Sequence, residues 1–481
     1  MIRYHAFSVV IALLLAVPPT ARAATVTLDE RTAYQTIDGF GGFNADDDVA
    51  AVVDDLGLTI HRGELNPDGT PSPGWSTLRQ LKNAGVRKFI FSIWSPPANM
   101  KTNNKVSGGG NLKPSSYAAF GNWCATFLKR FKQEVGIDCY ALSLQNEPEF
   151  VEPYASCVYT AETYRDMLKV VGPILDTECP RVKLFGTETM LHTMGYFQAA
   201  TLTDADGGQH LDIIAIHGYV DGVAPGSAGS NTWSKAANMA AAFERPLWMT
   251  ETSGFADNWD GAMDLVRNLY ASLYWGDLNG SVWWRLTQTA SWQADTRWLI
   301  AANGRKTQRY YALKHYYRYV RPGAVRIDAV SDDAEVLVTA FHHPDDRTLS
   351  VVAINNASSS KTLSLTGDNL PSSYKRYLST SSKNCSDEGS ASNSGIALPG
   401  NSITTLVATG YDGRSVVSTS PRARPGARTL SCPTGRARLY SLDGRRIPAT
   451  VVGRSGASAA NGVYVSIDRL GHGRLTAFGT R

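Results

Sequence analysis

The stretch Ala141-Leu142-Ser143-Leu144-Gln145-Asn146-Glu147-Pro148-Glu149 decides how the chain is read. A short apolar run passes straight into Asn-Glu-Pro, the pattern of a buried strand that stops at its C-terminal end. Pro148 has no N–H to give a central strand, so Glu147 falls at the mouth of whatever that strand helps to build. Pro246-Leu247-Trp248-Met249-Thr250-Glu251-Thr252-Ser253-Gly254 has the same shape, an apolar strand closing on a glutamate with small residues behind it. Two such glutamates can face each other across the end of a parallel barrel, which is the placement that splitting a glycosidic bond with two carboxylates requires. Taken alone, the two stretches leave open that each is an acidic turn after a strand.

Outward from these stretches, strands and helices alternate from Ile37 onward. Strands are expected at 37–43, 58–65, 88–94, 139–146, 182–188, 212–218, 246–251 and 281–286. Helices fall between them, most clearly over 115–134, where Ala118, Phe120, Trp123, Phe127, Leu128 and Phe131 recur at helical spacing between Pro114-Ser115 and Gly136. A second helix over 160–175 places Tyr164, Met167, Leu168 and Val171 on one face. Eight strands alternating with helices predict an α/β fold, a (β/α)8 TIM barrel over 37–320. A doubly wound open sheet is the alternative, but Gly39, Gly41 and Gly42 do not make its Gly-rich phosphate loop. After Val320-Arg321-Pro322-Gly323 the pattern becomes short β runs split by Gly, Asn, Asp and Ser. This predicts a small antiparallel β-sandwich side domain over 321–409, which 24–36 would join. Residues 410–433, rich in Ser, Arg, Pro and Gly, read as a linker. Residues 434–481 read as a small β module, with an Asp443-Gly444 turn and a Gly462-Val463-Tyr464-Val465 strand. It resembles the C-terminal sorting or anchoring modules of some bacterial secreted proteins.

Residues 1–23 have the form of a signal peptide: Arg3, an apolar run over 6–17, then Ala21-Arg22-Ala23. The run is too short to span a bilayer, and no longer one follows. The expectation is a secreted, extracellular protein beginning near Ala24, whose tail engages a secretion system or attaches it to the cell surface. Six cysteines (124, 139, 157, 179, 385 and 432) fit an oxidising compartment without fixing any pairing. Their spacing matches no zinc site, and no metal or other cofactor is expected. The net charge of +4 hides an asymmetry, since 410–481 carries 12 Arg, no Lys and 3 Asp. With the basic excess in the tail, the main domain gives no nucleic-acid signal. Eleven Trp and 21 Tyr are a generous supply of flat faces for a ligand.

The motifs together carry a resemblance. Ile37-Asp38-Gly39-Phe40-Gly41-Gly42, Trp94-Ser95-Pro96-Pro97-Ala98, Leu144-Gln145-Asn146-Glu147-Pro148, Ala215-Ile216-His217-Gly218-Tyr219 and Trp248-Met249-Thr250-Glu251 come in order, followed by Val282-Trp283-Trp284 and Tyr319-Val320-Arg321-Pro322-Gly323. Over roughly 25–409 the chain resembles glycoside hydrolase family 30, of the clan A retaining glycosidases, and most resembles its bacterial endo-xylanase and glucuronoxylanase branch. The resemblance implies a barrel fused to a β-sandwich, Glu147 as general acid and base, and Glu251 as nucleophile. It further implies Asn146 on the sugar 2-hydroxyl, Arg62 beside the nucleophile and Tyr219 bonded to it, with His217 at the same strand end. Trp94 and Trp284 are the expected sugar platforms, and Trp259 and Tyr154, placed in loops, are further candidates.

In the branch it most resembles, an arginine-rich segment after the eighth strand recognises a glucuronate side group. Here the sequence is Trp283-Trp284-Arg285-Leu286-Thr287-Gln288-Thr289, with neutral Thr287 and Gln288 where that arginine is expected. A neutral pair cannot form the bidentate clamp a carboxylate favours. Asn99 also replaces a frequent aromatic, while Arg285 or Arg297 could compensate for the missing clamp. The expected activity is therefore internal cleavage of plant cell-wall β-1,4-xylan by a monomer, without strict dependence on glucuronate. A β-1,6-glucanase or galactanase of the same family is the alternative, and a non-catalytic glycan-binding protein the remote one.

Overall fold

The computed structural model describes residues 23–45, 48–191, 193–219, 230–288 and 296–413, and four tail strands, Arg438–Tyr440, Arg446–Ile447, Gly462–Ile467 and Gly473–Phe478. The expected signal at 1–23, Ala23 apart, and most of the expected linker lie outside the described residues.

The first sheet has nine strands, a short antiparallel one, Pro71–Ser72, beside eight parallel ones: Gly39–Phe43, Ile60–Leu65, Lys88–Ser92, Ala141–Ser143, Lys183–Met190, Ile213–His217, Leu247–Glu251 and Gly280–Trp283. Each pairs with the next, and the eighth returns to the first, so the sheet closes into the expected barrel. The glycines of the first strand have a packing reason. A Cβ on Gly41 would come within 2.1 Å of the Ile60 carbonyl oxygen, and one on Gly42 within 2.4 Å of Leu286. Only glycine lets the neighbouring strands approach this closely.

Inside the barrel, Ile60, Ile90, Ala141, Phe185, Ile213, Ala215, Trp248 and Val282 pack into one buried cluster. The Ile, Val and Phe side chains among them each contribute roughly 1.5–3 kcal/mol on burial. Below it, Trp248 stacks on Tyr140 with ring centroids 5.8 Å apart and donates its indole N–H to Asp38 Oδ2 at 2.9 Å. The lower barrel is therefore filled, and a ligand can enter only at the C-terminal ends of the strands.

The outer helices bury most of the faces read from the sequence, although Ala118 is exposed and Trp123 only half-buried. Tyr117–Val135 packs Phe120, Cys124, Phe127, Leu128 and Phe131 inward and ends on Gly136 at φ 84°, a left-handed position suited to glycine. The residues before it, Pro114–Ser116, form a separate 3-10 turn. Ala161–Glu178 starts at Thr160, whose hydroxyl accepts the Thr163 N–H in a reciprocal cap.

The second sheet has nine strands drawn from both sides of the barrel in sequence. Ala24–Thr36 pairs antiparallel with Val325–Ser331 and parallel with Lys361–Thr366. The side domain is thus not wholly antiparallel. Its N-terminal strand arrives from across the barrel, so no hairpin dictates its direction. Polar contacts fix this sheet to the barrel: Arg326, lying over Tyr34 and bonded to Gln35 Oε1 at 2.9 Å within the sheet, donates to Asp277 Oδ1 at 2.8 Å, and Gln35 Nε2 donates to Leu273 O at 2.8 Å. The tail strands pair antiparallel in a four-stranded sheet. Among the described residues no helix is long and apolar enough to cross a membrane. Five cysteines, 124, 139, 157, 179 and 385, are buried and free of disulfides, and Cys432 lies outside the described residues.

Candidate active site

The alternation that puts Ile60 inside the barrel also turns Arg62 inward, one layer nearer the mouth. Arg62 is completely buried, and its guanidinium organises the site. It donates to Ser92 Oγ at 3.1 Å, Asn146 Oδ1 at 2.7 Å and Glu188 Oε1 at 2.9 Å, and pairs with Glu251 Oε2. Five donors in a rigid fork suit this multiple bonding, which a lysine could not reproduce. Asn146 thus spends its carbonyl oxygen on Arg62, which leaves its amide N–H₂ as a donor.

Glu147 leaves the fourth strand at φ 46°, and Glu188 sits in the fifth at φ 55°. Side chains rarely adopt this left-handed region, which collects at functional sites. At Glu188 the register with the sixth strand slips between Thr187 and Thr189. Such a bulge re-aims one side chain, and here it turns a fully buried carboxylate toward Arg62 and His217. Glu188 was given no role in the sequence reading, although an acid in the apolar strand Lys183–Met190 was a signal of the same kind as Glu147 and Glu251.

His217, at the end of the sixth strand, links the carboxylates. Its Nδ1–H donates to Glu147 Oε1 at 2.9 Å, while Nε2 lies 3.5 Å from Glu188 Oε1 and 4.0 Å from Glu251 Oε2. Burial disfavours its charge, yet the Glu251, Glu147 and Glu188 carboxylates together raise its pKa to about 10. It is therefore an imidazolium at neutral pH. Burial pushes the Glu147 carboxyl above the usual range, His217 pulls it back, and Glu251 adds to the rise; the net direction is up. Glu188 goes the other way: burial alone would raise it, but Arg62 and His217 outweigh that and bring it to about 2. Tyr219 donates its hydroxyl to Glu251 Oε1, and burial beside that carboxylate raises its own pKa.

One oxygen of Glu147, one of Glu251 and a ring nitrogen of His217 all lie within 4.8 Å of one another. These three are also a possible ligand set for a metal ion. Metal binding would demand neutral imidazole, whereas His217 holds its proton and commits Nδ1 to Glu147. The geometry suits proton handling better than coordination.

Trp94 and Trp284 come together with Phe43, which the sequence reading did not single out. Phe43 stacks on Trp284 at 4.2 Å and meets Trp94 edge-on at 5.5 Å, and Arg62 lies 4.9 Å from the Trp94 ring. Arg285 is 1 % exposed, with Nε donating to Thr287 O at 3.0 Å. Thr287 bonds Asn44 O at 3.4 Å, and Gln288 Oε1 accepts the Ala302 N–H at 3.1 Å. Trp259 is not in a loop. It opens the helix Trp259–Tyr274 and donates to Asn401 O of the side domain at 2.9 Å, a structural joint rather than a sugar platform. Tyr154 is 48 % exposed, and after burial the Glu147 and Glu251 charges are among the causes that raise its pKa, which places it near the mouth. Arg297 is half-buried and acts electrostatically on Tyr219. Asn99 is exposed, on the turn Ala98–Met100.

Comparison with known proteins bears on this geometry directly. Residues 76–290 match the model of the glycosyl hydrolase family 30 TIM-barrel domain, and 323–406 that of the family 30 beta sandwich domain. The Glucuronoxylanase XynC of Bacillus subtilis strain 168 is 26% identical over 414 residues, covering 80% of this chain and 92% of its own length. The solved family 30 subfamily 8 xylanase of Clostridium acetobutylicum superposes with a TM-score of 0.69 at 26% identity, over 80% of this chain and 99% of its own. The endo-β-1,6-glucanase BT3312 shares the fold at a TM-score of 0.64 and 20% identity, over 80% of this chain and 94% of its own.

Proposed function

The chain belongs to glycoside hydrolase family 30, and from that premise we propose that it cleaves β-1,4-xylan internally, with retention, using Glu251 as nucleophile and Glu147 as acid and base. The observation that carries the reading is the approach of the two carboxyl groups, one oxygen of each within 4.8 Å of the other. Retaining enzymes hold their carboxyl groups about 5–5.5 Å apart, whereas inverting ones leave about 6.5–9.5 Å for a water.

The charges favour the same assignment. With Glu147 protonated, Arg62 and His217 face Glu188 and Glu251, two cations against two carboxylates, and the buried cluster is neutral. In the first step a Glu251 oxygen forms a bond to the anomeric carbon while the glycosidic C–O bond breaks. Glu147 gives its proton to the departing oxygen. Glu147, now a carboxylate beside the His217 imidazolium, takes a proton from water, whose oxygen displaces Glu251 and restores the starting state. Arg62 and Tyr219 hold Glu251 in place throughout, and the Asn146 amide donates to the 2-hydroxyl, where contacts tighten in the transition state. The Phe43, Trp94 and Trp284 rings offer apolar faces for sugar C–H groups.

Likeness to xylanases supports xylan as substrate. The neutral Thr287 and Gln288, both tied to backbone, support activity free of strict dependence on glucuronate. The shared fold with a β-1,6-glucanase supports a second reading, in which the same chemistry acts on that glycan. The signal-like residues 1–23 support secretion. A product profile on glucuronoxylan, arabinoxylan, linear xylooligosaccharides and β-1,6-glucan, with Glu251→Ala as control, tests the proposal. Mixed oligomers from the linear and arabinose-bearing substrates are expected. Release from β-1,6-glucan alone would overturn xylan, and products only from glucuronoxylan would overturn independence from the branch.

A further inference from the structure

A fourth carboxylate stands at the mouth and takes no part in the mechanism above. Glu64 lies two residues beyond Arg62 on the second strand, so it shares the inward face that carries Ile60 and Arg62. It pairs in register with Ser92 on one side and with Ser72 of the Pro71–Ser72 strand on the other. Asn44, which follows the first strand at φ 47°, reaches the same Ser72 through Nδ2 at 3.3 Å. Asn44 is only 7 % exposed, and its Oδ1 is buried without a hydrogen-bond partner. An orphaned buried acceptor is costly unless something outside the protein uses it. Burial raises the Glu64 carboxyl to about 7, partly offset by Arg62, the one charge among the described residues that acts on it.

The position of these groups relates them to substrate. Glu147 protonates the leaving oxygen, so the leaving sugars lie on the side of the fourth strand. On the proposed mechanism the retained sugars then fall on the opposite side, which carries the first, second and eighth strands with Phe43 and Trp284. Glu64 and Asn44 end the first two of those strands.

We propose that Glu64 and Asn44 form a specificity-determining site for the retained side of the substrate, hydrogen-bonding neutral sugar hydroxyls and discriminating against carboxylate-bearing branches there. The inference rests on the glycosidase reading above and extends it to the choice of substrate. A neutral sugar can donate to the Glu64 carboxyl, which Asn44 supports from behind through Ser72. A uronate branch meets no cation at Thr287 or Gln288, and meets a second negative charge once Glu64 ionises.

The test measures kcat and KM on linear xylooligosaccharides and on glucuronate-branched counterparts, at pH 5.5 and 8.5, for the wild type, Glu64→Gln and Glu64→Ala. Glu64 is mostly neutral at the lower pH and mostly ionised at the higher one. Preference for the unbranched substrate should therefore grow with pH in the wild type, on the order of tenfold, and stay flat in Glu64→Gln. Glu64→Ala should raise KM for the unbranched substrate up to about tenfold with little change in kcat, the loss of a hydrogen bond made equally in ground and transition states. A merely structural role for Glu64 would leave the pH dependence of the ratio untouched. A ratio that rises with pH in folded, active Glu64→Gln as it does in the wild type, or one that stays flat in the wild type, overturns the proposal. Failure of the xylan reading looks different, as no hydrolysis of either substrate by the wild type. The same ratio is then measured on β-1,6-gluco-oligosaccharides and on those whose non-reducing terminal glucose, the one unit with a free C6 hydroxyl, is oxidised to the uronate, and decides the matter there.

Discussion

Replacing His217 by asparagine keeps a hydrogen-bond donor near Glu147 and removes the charge. The structure fixes the direction of the result. His217 is a buried cation 2.9 Å from Glu147, and it is what pulls the raised Glu147 carboxyl back down. Two unit charges about 4 Å apart interact by about 4 kcal/mol at an effective dielectric of 20. Relaxation and entering water will absorb much of that, leaving a rise of about one to two pH units in the Glu147 titration, at about 1.4 kcal/mol per unit. The basic limb of kcat/KM should therefore move to higher pH in His217→Asn. Turnover of substrates with poor leaving groups should fall, because a weaker acid protonates them, while aryl glycosides with good leaving groups should be nearly unaffected. Stability supplies a second readout with a definite sign. A histidine raised from 6.5 to about 10 stabilises the fold fully below its unfolded pKa, and this contribution is lost as pH rises through 10. The melting-temperature gap between wild type and His217→Asn should be widest near pH 6 and close toward pH 10. A basic limb that stays in place or moves to lower pH would refute the reasoning.

Two further substitutions probe the same cluster. Glu188→Gln removes one partner of a fully buried ion pair and leaves Arg62 undercompensated, so it should cost about 3–5 kcal/mol of stability. Urea unfolding monitored by tryptophan fluorescence checks this; a loss under about 1 kcal/mol would mean that Glu188 is not the anchor of Arg62. Glu147→Gln should abolish hydrolysis of xylan yet still form the glycosyl-enzyme from an activated aryl glycoside, seen as a burst followed by slow turnover. Added azide should restore turnover in that variant, since a small anion needs no general base, and absence of rescue would count against Glu147 as acid and base.

Much of this site can be read from strand ends. Glu147, Glu251, Asn146 and Trp94 each close an apolar run, and a closed parallel barrel sends all such ends to one face; Arg62, expected at a strand end, stands instead within the strand Ile60–Leu65 on its inward side. Glu188 escaped notice because its orientation depends on a bulge. A period of two carries no sign of the slipped register that turns this one carboxylate inward. The fourth strand shows the converse. Its hydrophobic pattern reads as 139–146, but the ladder holds only Ala141–Ser143. Leu144 and Gln145 stay buried after pairing stops, with Gln145 Nε2 donating to Trp94 O at 2.9 Å. Burial and pairing part company there, and sequence reports only burial. Trp259 was misplaced for a related reason: an aromatic at a helix start packing on a neighbouring domain looks, in sequence, like one waiting for a sugar.

The central claim is that two close carboxyl groups act by double displacement. Proton NMR of the anomeric region during the first minutes of hydrolysis tests it most directly, before mutarotation mixes the products. The account predicts that the β-anomer of the new reducing end appears first. Initial release of the α-anomer would contradict it, since that requires a water between the carboxyl groups and direct inversion.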